Sequence, residues 1–558
     1  METEAALTAT GPVIFETLID RIFETYVSTY QPGHNIDLRP SKIPNYDYAI
    51  HSSMFDRPLE EVRTKLIYDP SWFTIDVLDP YLNIRVESGI LAYQVLTGIH
   101  RDRSNYPVCS RKDPEQIIVE HTSANPTGRL HIGRSRNSFI GDTLARVYRK
   151  LNYQTTVEYY INDLGKQAVL AHEAYLRDPT VNLLEDFSKH YAAINQEYQT
   201  DQSFRLLIDQ QLETMETYGP HLRGYQQTFR HLIDVMIISE LRTFRVCFDQ
   251  FESELDVVYR DQTNQVQRLL DTPEFQPLLE RDPGGYIALK EKIHGRSIVL
   301  RKTGGASLYL TRDLVYNIDR LGRATECVTI LGEDTKTHNE ALRMILCSLG
   351  YPHSNTPVYY NFVILAEGKM STRRQNVVTL HDLYVRVIEK LRTLDRTAHL
   401  NEQMISSLAV SFIRLAILSK SNTRTVVFEF DRIFNPSAPE SSFYPFYTYA
   451  RMMSIIRRQP LIVPVFELSK QTLTPIVRQL VRQMYRYRSV LEEVLQTKQP
   501  NRLTNFLEQL CVHLNQLYDQ QRIIGTSNEQ ELLTVVTAAL HLMDSIENCL
   551  GLEFFSEI

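Results

Sequence analysis

The run Glu120-His121-Thr122-Ser123-Ala124-Asn125-Pro126-Thr127-Gly128-Arg129-Leu130-His131-Ile132-Gly133-Arg134 constrains the chain more than any other stretch. It follows the apolar residues Ile117 to Val119, which read as a strand. It leads into Ser138 to Tyr148, whose apolar spacing reads as a helix. Strand, Pro/Gly turn and helix together make one half of a nucleotide-binding unit. The first amides of a helix are unpaired and carry partial positive charge, which suits a triphosphate. Gly133 lets the backbone approach a ligand closely. His131 and Arg134 flank the Ile132-Gly133 pair, and both can donate hydrogen bonds to phosphate oxygens.

At 558 residues the chain exceeds what one core usually serves, so several domains are expected. No uninterrupted apolar run reaches membrane-spanning length. The acidic start Met1-Glu2-Thr3-Glu4 lacks the basic residues of a secretory or mitochondrial leader, so a cytoplasmic address is expected. The six cysteines are scattered with no Cys-x-x-Cys pair, which argues against a zinc knuckle and a disulfide framework. The net charge of -7 does not announce a nucleic-acid binder. Local charge is a better guide. Between Ser441 and Val490 there are eight Lys or Arg residues and the single acid Glu467, and Arg478, Arg482 and Arg486 repeat every four residues as a basic stripe.

Taken in order, residues 1 to about 114 mix short helical and strand-like pieces punctuated by proline, with a strand from Asp79 to Val86. Thr155 to Ile161 reads as the next strand of the nucleotide-binding half, and Asn162-Asp163-Leu164-Gly165-Lys166-Gln167 follows at its carboxyl end, where ligands bind in open parallel sheets. From Ala168 to about Asp282 the pattern is long, polar and helical, and reads as an insertion that interrupts the sheet. Ser297 to Leu300 resumes the second half. Tyr309 and Asp313 lie four apart, so on a helix they share one face. Cys327 to Leu331 reads as a buried strand ending in Gly332-Glu333-Asp334-Thr335-Lys336-Thr337-His338, where the glycine opens room for an adenosine and Asp334 can accept from ribose hydroxyls. From about His399 onward the spacing is wholly helical and reads as a bundle. Tyr444-Pro445-Phe446-Tyr447-Thr448-Tyr449-Ala450-Arg451 gives it an aromatic segment of the kind that stacks on unpaired bases.

A second cationic loop, Gly368-Lys369-Met370-Ser371-Thr372-Arg373-Arg374, sits more than two hundred residues beyond the first. The two loops together resemble the phosphate clamp of class I aminoacyl-tRNA synthetases. Together with Tyr160-Ile161-Asn162-Asp163-Leu164-Gly165-Lys166-Gln167 and Leu308-Tyr309-Leu310-Thr311-Arg312-Asp313, they resemble the arginyl-tRNA synthetase family in particular. The resemblance covers most of the chain.

It implies an α/β Rossmann-type catalytic domain over 115–398 with a helical insertion at about 168–282, an amino-terminal α+β domain over 1–114 that touches the tRNA elbow, and an all-α anticodon-binding bundle over 399–558. By the same resemblance His131, Arg134, Lys369 and Arg373 are catalytic, and His131, Gly133, Arg134, Gly332, Asp334, His338, Lys369, Met370 and Ser371 bind ATP. Glu120 and Asn125 hold the ends of the amino acid. Tyr309 and Asp313 read its side chain, since a planar carboxylate is the best partner for a guanidinium. Asn83, Tyr444, Tyr447 and Arg451 contact tRNA. Phe248-Asp249 with Glu252-Ser253-Glu254 also resembles a feature of the family's insertion, although a solvated acidic helix end is the simpler and preferred account of those charges.

The implied reaction joins L-arginine to tRNA(Arg) by way of ATP and Mg2+, in a monomer with no structural metal of its own and no membrane attachment. Three positions depart from the family pattern. Arg134 stands where a second histidine is usual, Thr335 where an amide or histidine is, and Gln375 where glycine is. These keep open a catalytically silent relative that binds tRNA or a protein partner. The paired Tyr309 and Asp313 disfavour specificity for another amino acid.

Overall fold

The computed structural model describes residues 15–30, 36, 38–41, 43, 46–111, 113–215, 217–292, 297–302, 308–351, 355–365, 378–459 and 461–558. Helix α1 (Phe15–Tyr30) opens the amino-terminal part. Strands β1 (Arg39–Pro40) and β2 (Tyr48–His51), helix α2 (Leu59–Lys65), strands β3 (Phe73–Leu78) and β4 (Tyr81–Val86), and helix α3 (Ser88–Asp102) complete it. The strands form one antiparallel sheet in the order β1-β2-β4-β3. Alternation along β4 buries Leu82, Ile84 and Val86, and Val95, Leu96 and Ile99 of α3 are buried as well.

The central sheet is parallel throughout. Its strands are β5 (Gln116–Glu120), β6 (Gln154–Ile161), β7 (Gln250–Ser253), β11 (Glu326–Gly332) and β12 (Asn355–Tyr360), in the spatial order β12-β11-β5-β6-β7. Helix α4 (Ile132–Lys150) crosses back from β5 to β6. The order reverses at β5, so the turn beginning at Glu120 occupies the switch point of the sheet. Between β6 and β7 run α5 (Lys166–Arg177), α6 (Phe187–Thr200), α7 (Gln202–Met215) and α8 (Leu222–Ile233). The stretch expected to be a helical insertion therefore contains β7, which extends the main sheet beside β6, and the short helix α9 (Glu254–Val258). Strands β8 (Leu279–Arg281), β9 (Ile287–Leu289) and β10 (Val299–Arg301) form a separate antiparallel sheet. Ser297 to Leu300 thus does not rejoin the parallel sheet. A four-residue strand leaves too little alternation to be told from a helix segment by its spacing.

Helix α10 (Tyr309–Leu321) precedes β11, and α11 (Lys336–Ser348) follows it. Strand β13 (Val363–Leu365) pairs with β14 (Val426–Phe428) across α12 (Leu380–Arg392) and α13 (Glu402–Leu418). The carboxyl-terminal bundle adds α14 (Phe443–Arg457), α15 (Pro475–Tyr485), α16 (Tyr487–Thr497), α17 (Asn501–Gln520) and α18 (Glu529–Leu550). Among the described residues no helix is long and apolar enough to cross a membrane.

Helix α4 is buried on nearly every side, because the sheet lies under it and the carboxyl-terminal helices lie over it. Its polar residues consequently act as ties. The Arg136 guanidinium donates to the carbonyls of Asn361, Arg424, Lys420 and Ser421 at 2.5 to 3.1 Å. Asp142 accepts from Arg146 at 2.8 Å and from the fully buried Arg414 of α13 at 2.5 Å. The amino-terminal part is held to the bundle by Asp47, which accepts from Arg482 of α15 at 2.9 Å. Arg482 is therefore a docking residue rather than a free member of a basic stripe, and Arg478 turns back to the Leu473 carbonyl at 2.7 Å.

Candidate active site

The first half of the site is the turn into α4. His131 is the N-cap, and its Nδ1 accepts from the Gly133 amide at 2.9 Å. An acceptor at Nδ1 leaves the ring hydrogen on Nε2, and that atom is buried without a partner among the described residues. Burial, with Arg134 adding to it, lowers the His131 pKa, so the ring is a neutral donor at physiological pH. A Cβ at Gly133 would lie 2.8 Å from Nδ1, so only glycine lets the ring fold over the first helical turn. Arg134, one residue on, is exposed.

The segment 366–377, which contains Lys369, Met370, Ser371 and Arg373, lies outside the described residues, as does Gln375. The chain beyond it is fixed to the first half-site. Ile132 donates to the Val378 carbonyl at 3.1 Å, and Leu380 donates to the Leu130 carbonyl at 2.9 Å. The residues after the second cationic loop are thus pinned beside His131.

The other half of the site stands at the carboxyl ends of β5, β6 and β11. Glu120 is buried and accepts from Arg320 at 2.8 Å and from Ser123 at 2.9 Å. Asn125 donates to Gln167, and its Oδ1 is buried without a partner among the described residues. Tyr309 and Asp313 lie on one face of α10, as their spacing predicts. Tyr309 is half exposed, and its hydroxyl lies near Gly165. Asp313 Oδ2 accepts from His338 Nε2 at 2.6 Å, which raises the histidine's pKa. His338, expected beside ATP, is therefore seated on the residue expected to read the amino-acid side chain. Asp334 is exposed just beyond Gly332, and a Cβ on that glycine would lie 2.4 Å from Asp334 Oδ1.

Glu254 is a site candidate that sequence reasoning set aside. It is fully buried at the start of α9, 3.3 Å from the Arg312 guanidinium and beside the Leu164 amide. Burial first, with Asp313 and Asp163 adding to it against the pull of Arg312, pushes its carboxyl up to about 8. The buried Tyr160 hydroxyl, unpartnered among the described residues, feels both Glu254 and Asp313. Asp163 is occupied by Ser253 and the Leu255 amide at 2.6 and 3.0 Å, and burial raises its pKa to about 7.

The expected tRNA contacts fall into two sorts. Tyr447 is half-buried, with the Arg396 guanidinium 4.7 Å and the Arg451 guanidinium 5.6 Å from its ring. Arg451 also lies 4.0 Å from the ring of exposed Tyr518. Arg396 and Tyr518 join this cation-aromatic ladder although the sequence did not single them out. Tyr444 is buried instead, and Asn83 lies on the inner strand β4 with no exposed surface. In this conformation neither presents a face to a nucleic acid.

A parallel sheet whose switch-point turn carries a neutral histidine donor at a helix N-terminus, with Gly332-Glu333-Asp334 at the end of the neighbouring strand, is a class I aminoacyl-tRNA synthetase catalytic domain. The chain belongs to the arginine family of that class: residues 98–430 match the family described as tRNA synthetases class I (R), catalytic domain. Residues 446–558 match the DALR anticodon binding domain. The chain is similar to the arginine–tRNA ligase of Thermoplasma acidophilum, 29% identical over 86% of each chain. It is also similar to that of Methanosphaerula palustris, 27% identical over 96% of this chain and 98% of the relative. In fold it resembles the Thermus thermophilus arginyl-tRNA synthetase, with a TM-score of 0.79 at 17% identity over 97% of this chain and 100% of that one. The Plasmodium falciparum enzyme gives a TM-score of 0.78 at 14% identity over 99% and 100%.

Proposed function

We propose that this chain activates L-arginine with ATP and transfers it to tRNA(Arg), with Asp313 and Tyr309 reading the substrate side chain. The observation that carries this is the cluster of acidic groups at the carboxyl edge of the sheet, where Asp313 is coupled electrostatically to Glu120, Glu254 and Tyr160. A guanidinium is the cation whose planar fork fits such a set. Glu120 and Asn125 orient the amino and carboxylate ends, and Asn125 Oδ1 supplies an open acceptor.

An arginine carboxylate oxygen attacks the α-phosphorus of ATP, and the bond to pyrophosphate breaks in line. Mg2+ enters with ATP as part of the substrate. The protein contributes position and charge: the His131 Nε2 hydrogen, Arg134, the first amides of α4 and Lys369 face the developing negative charge. Gly332 and Asp334 border the nucleotide. The terminal ribose hydroxyl of tRNA then takes the arginyl group and AMP leaves. Tyr447, Arg451 and Tyr518 offer stacking and charge to unpaired anticodon bases.

The test is transfer of labelled arginine to tRNA with ATP and Mg2+, beside ATP–pyrophosphate exchange with and without tRNA. Charging with arginine alone among the amino acids is the expected result. Tight tRNA binding with no charging of any amino acid would refute it.

A further inference from the structure

Three carboxylates surround the place proposed for the guanidinium, and they differ in what holds them. Glu120 is paired with Arg320 at 2.8 Å and Glu254 with Arg312 at 3.3 Å, with all four side chains buried or nearly so. A guanidinium keeps its charge at every physiological pH, and breaking a buried pair strands the partner charge. Asp313 is held by an imidazole at 2.6 Å, and both partners are partly open, with 27% of the Asp313 and 39% of the His338 side chain exposed. Among the described residues it is the one carboxylate of the three whose partner can lose its charge near neutrality.

We propose that His338 is the resident cation of the arginine pocket: it holds Asp313 in the empty site and yields it, with release of a proton to solvent, when the substrate guanidinium arrives. The inference rests on the reading of Asp313 given above. It makes His338 a positioning residue for the amino acid rather than a ligand of ATP. The hydrogen bond that His338 donates to Asp313 outweighs partial burial and raises the His338 pKa, so the pair favours the imidazolium. The other charged or titratable groups nearby are Tyr309 and Arg312 on α10, Lys336 and Glu340 on α11, Glu120 of β5, Tyr160 of β6 and Glu254 of α9.

The pair does two things in the empty site. It fixes the Asp313 carboxylate in place, and it neutralises the charge that would otherwise repel Glu120. The sign of the pH effect follows. Below the His338 pKa the imidazolium competes with the substrate for Asp313, so arginine affinity falls as pH falls. Release of one proton per arginine gives a limiting slope of about tenfold per pH unit. Above that pKa the ring is neutral and the competition fades.

Two measurements decide it. Calorimetric titration of arginine into the wild-type protein, near pH 7 in two buffers of different ionisation enthalpy, should show net proton release. No variant is needed for this arm. The KM values for arginine and for ATP are then followed from pH 6 to pH 8.5 in the wild type and in His338→Gln, whose amide can still donate to Asp313 but cannot become a cation. The wild-type arginine KM should rise roughly tenfold toward the acid end, the variant's by less than about threefold, and the ATP profile should be the same in both. Arginine binding without proton release would overturn the proposal. So would a variant that raises the ATP KM and keeps the wild-type arginine profile. Failure of the wild type to bind arginine at any pH would overturn the reading of Asp313, and this proposal with it.

Discussion

His131 keeps one ring nitrogen buried without a partner among the described residues. Its Nδ1 is spent on the Gly133 amide, and burial keeps the ring neutral, so a ligand at Nε2 meets a fixed hydrogen rather than a mobile proton. Arg134 is a different kind of donor, exposed and permanently charged. If it faces the transition-state phosphate, Arg134→Ala lowers kcat about a hundredfold with little change in the arginine KM, as steady-state charging kinetics would reveal. His121 has a structural role. It lies buried beneath α4, and burial lowers its pKa to about 4. The unfolded chain binds a proton as pH drops below about 6.5 and the folded chain does not, so stability is lost progressively on acidification from there toward pH 4. His121→Gln should show a smaller fall in urea midpoint between pH 7 and pH 5 than the wild type.

At the scale of elements, the site depends on how closely α4 lies on the sheet. Gly141 is where that closeness is greatest, because a Cβ there would sit 2.4 Å from the His121 side chain. Gly141→Ala forces the helix or the ring to move and is expected to cost about 1 to 3 kcal/mol, read from denaturant unfolding, with kcat falling as the His131 turn shifts. The strand-turn-helix from β5 to α4 was legible in the sequence because a long amphipathic pattern and a glycine turn are local signals. Tyr309 and Asp313 were legible for the same reason, since a spacing of four on a helix fixes a shared face. Strand β7 was not, being four residues long and embedded in helical pattern. Glu254 was set aside with it, because the burial that makes an acid a pocket residue comes from Arg312 and Tyr160, distant in sequence. Tyr444 and Tyr447 looked alike in sequence, and only the packing of α14 puts the first inside and the second beside Arg451.

Across the whole molecule, the catalytic helix is also the seat of the carboxyl-terminal bundle. Arg136 joins α4 to the residues before β13 and to the loop at 420–424, with four partly buried carbonyls and, among the described residues, no acid as hydrogen-bond partners. Arg136→Met leaves those carbonyls unsatisfied at about 1 to 3 kcal/mol each where water cannot reach them. A thermal midpoint lowered by several degrees or more is expected, with kcat reduced more than either KM. The proposed arginine specificity rests on a carboxylate at Asp313 facing a cationic side chain. Citrulline has nearly the shape of arginine without its charge, so the decisive measurement is kcat/KM for charging with arginine against citrulline, in the wild type and in Asp313→Asn. A wild-type preference of about 10⁴ or more, reduced at least a hundredfold by the substitution through loss of arginine, is the predicted result. An unchanged ratio in Asp313→Asn would contradict the account.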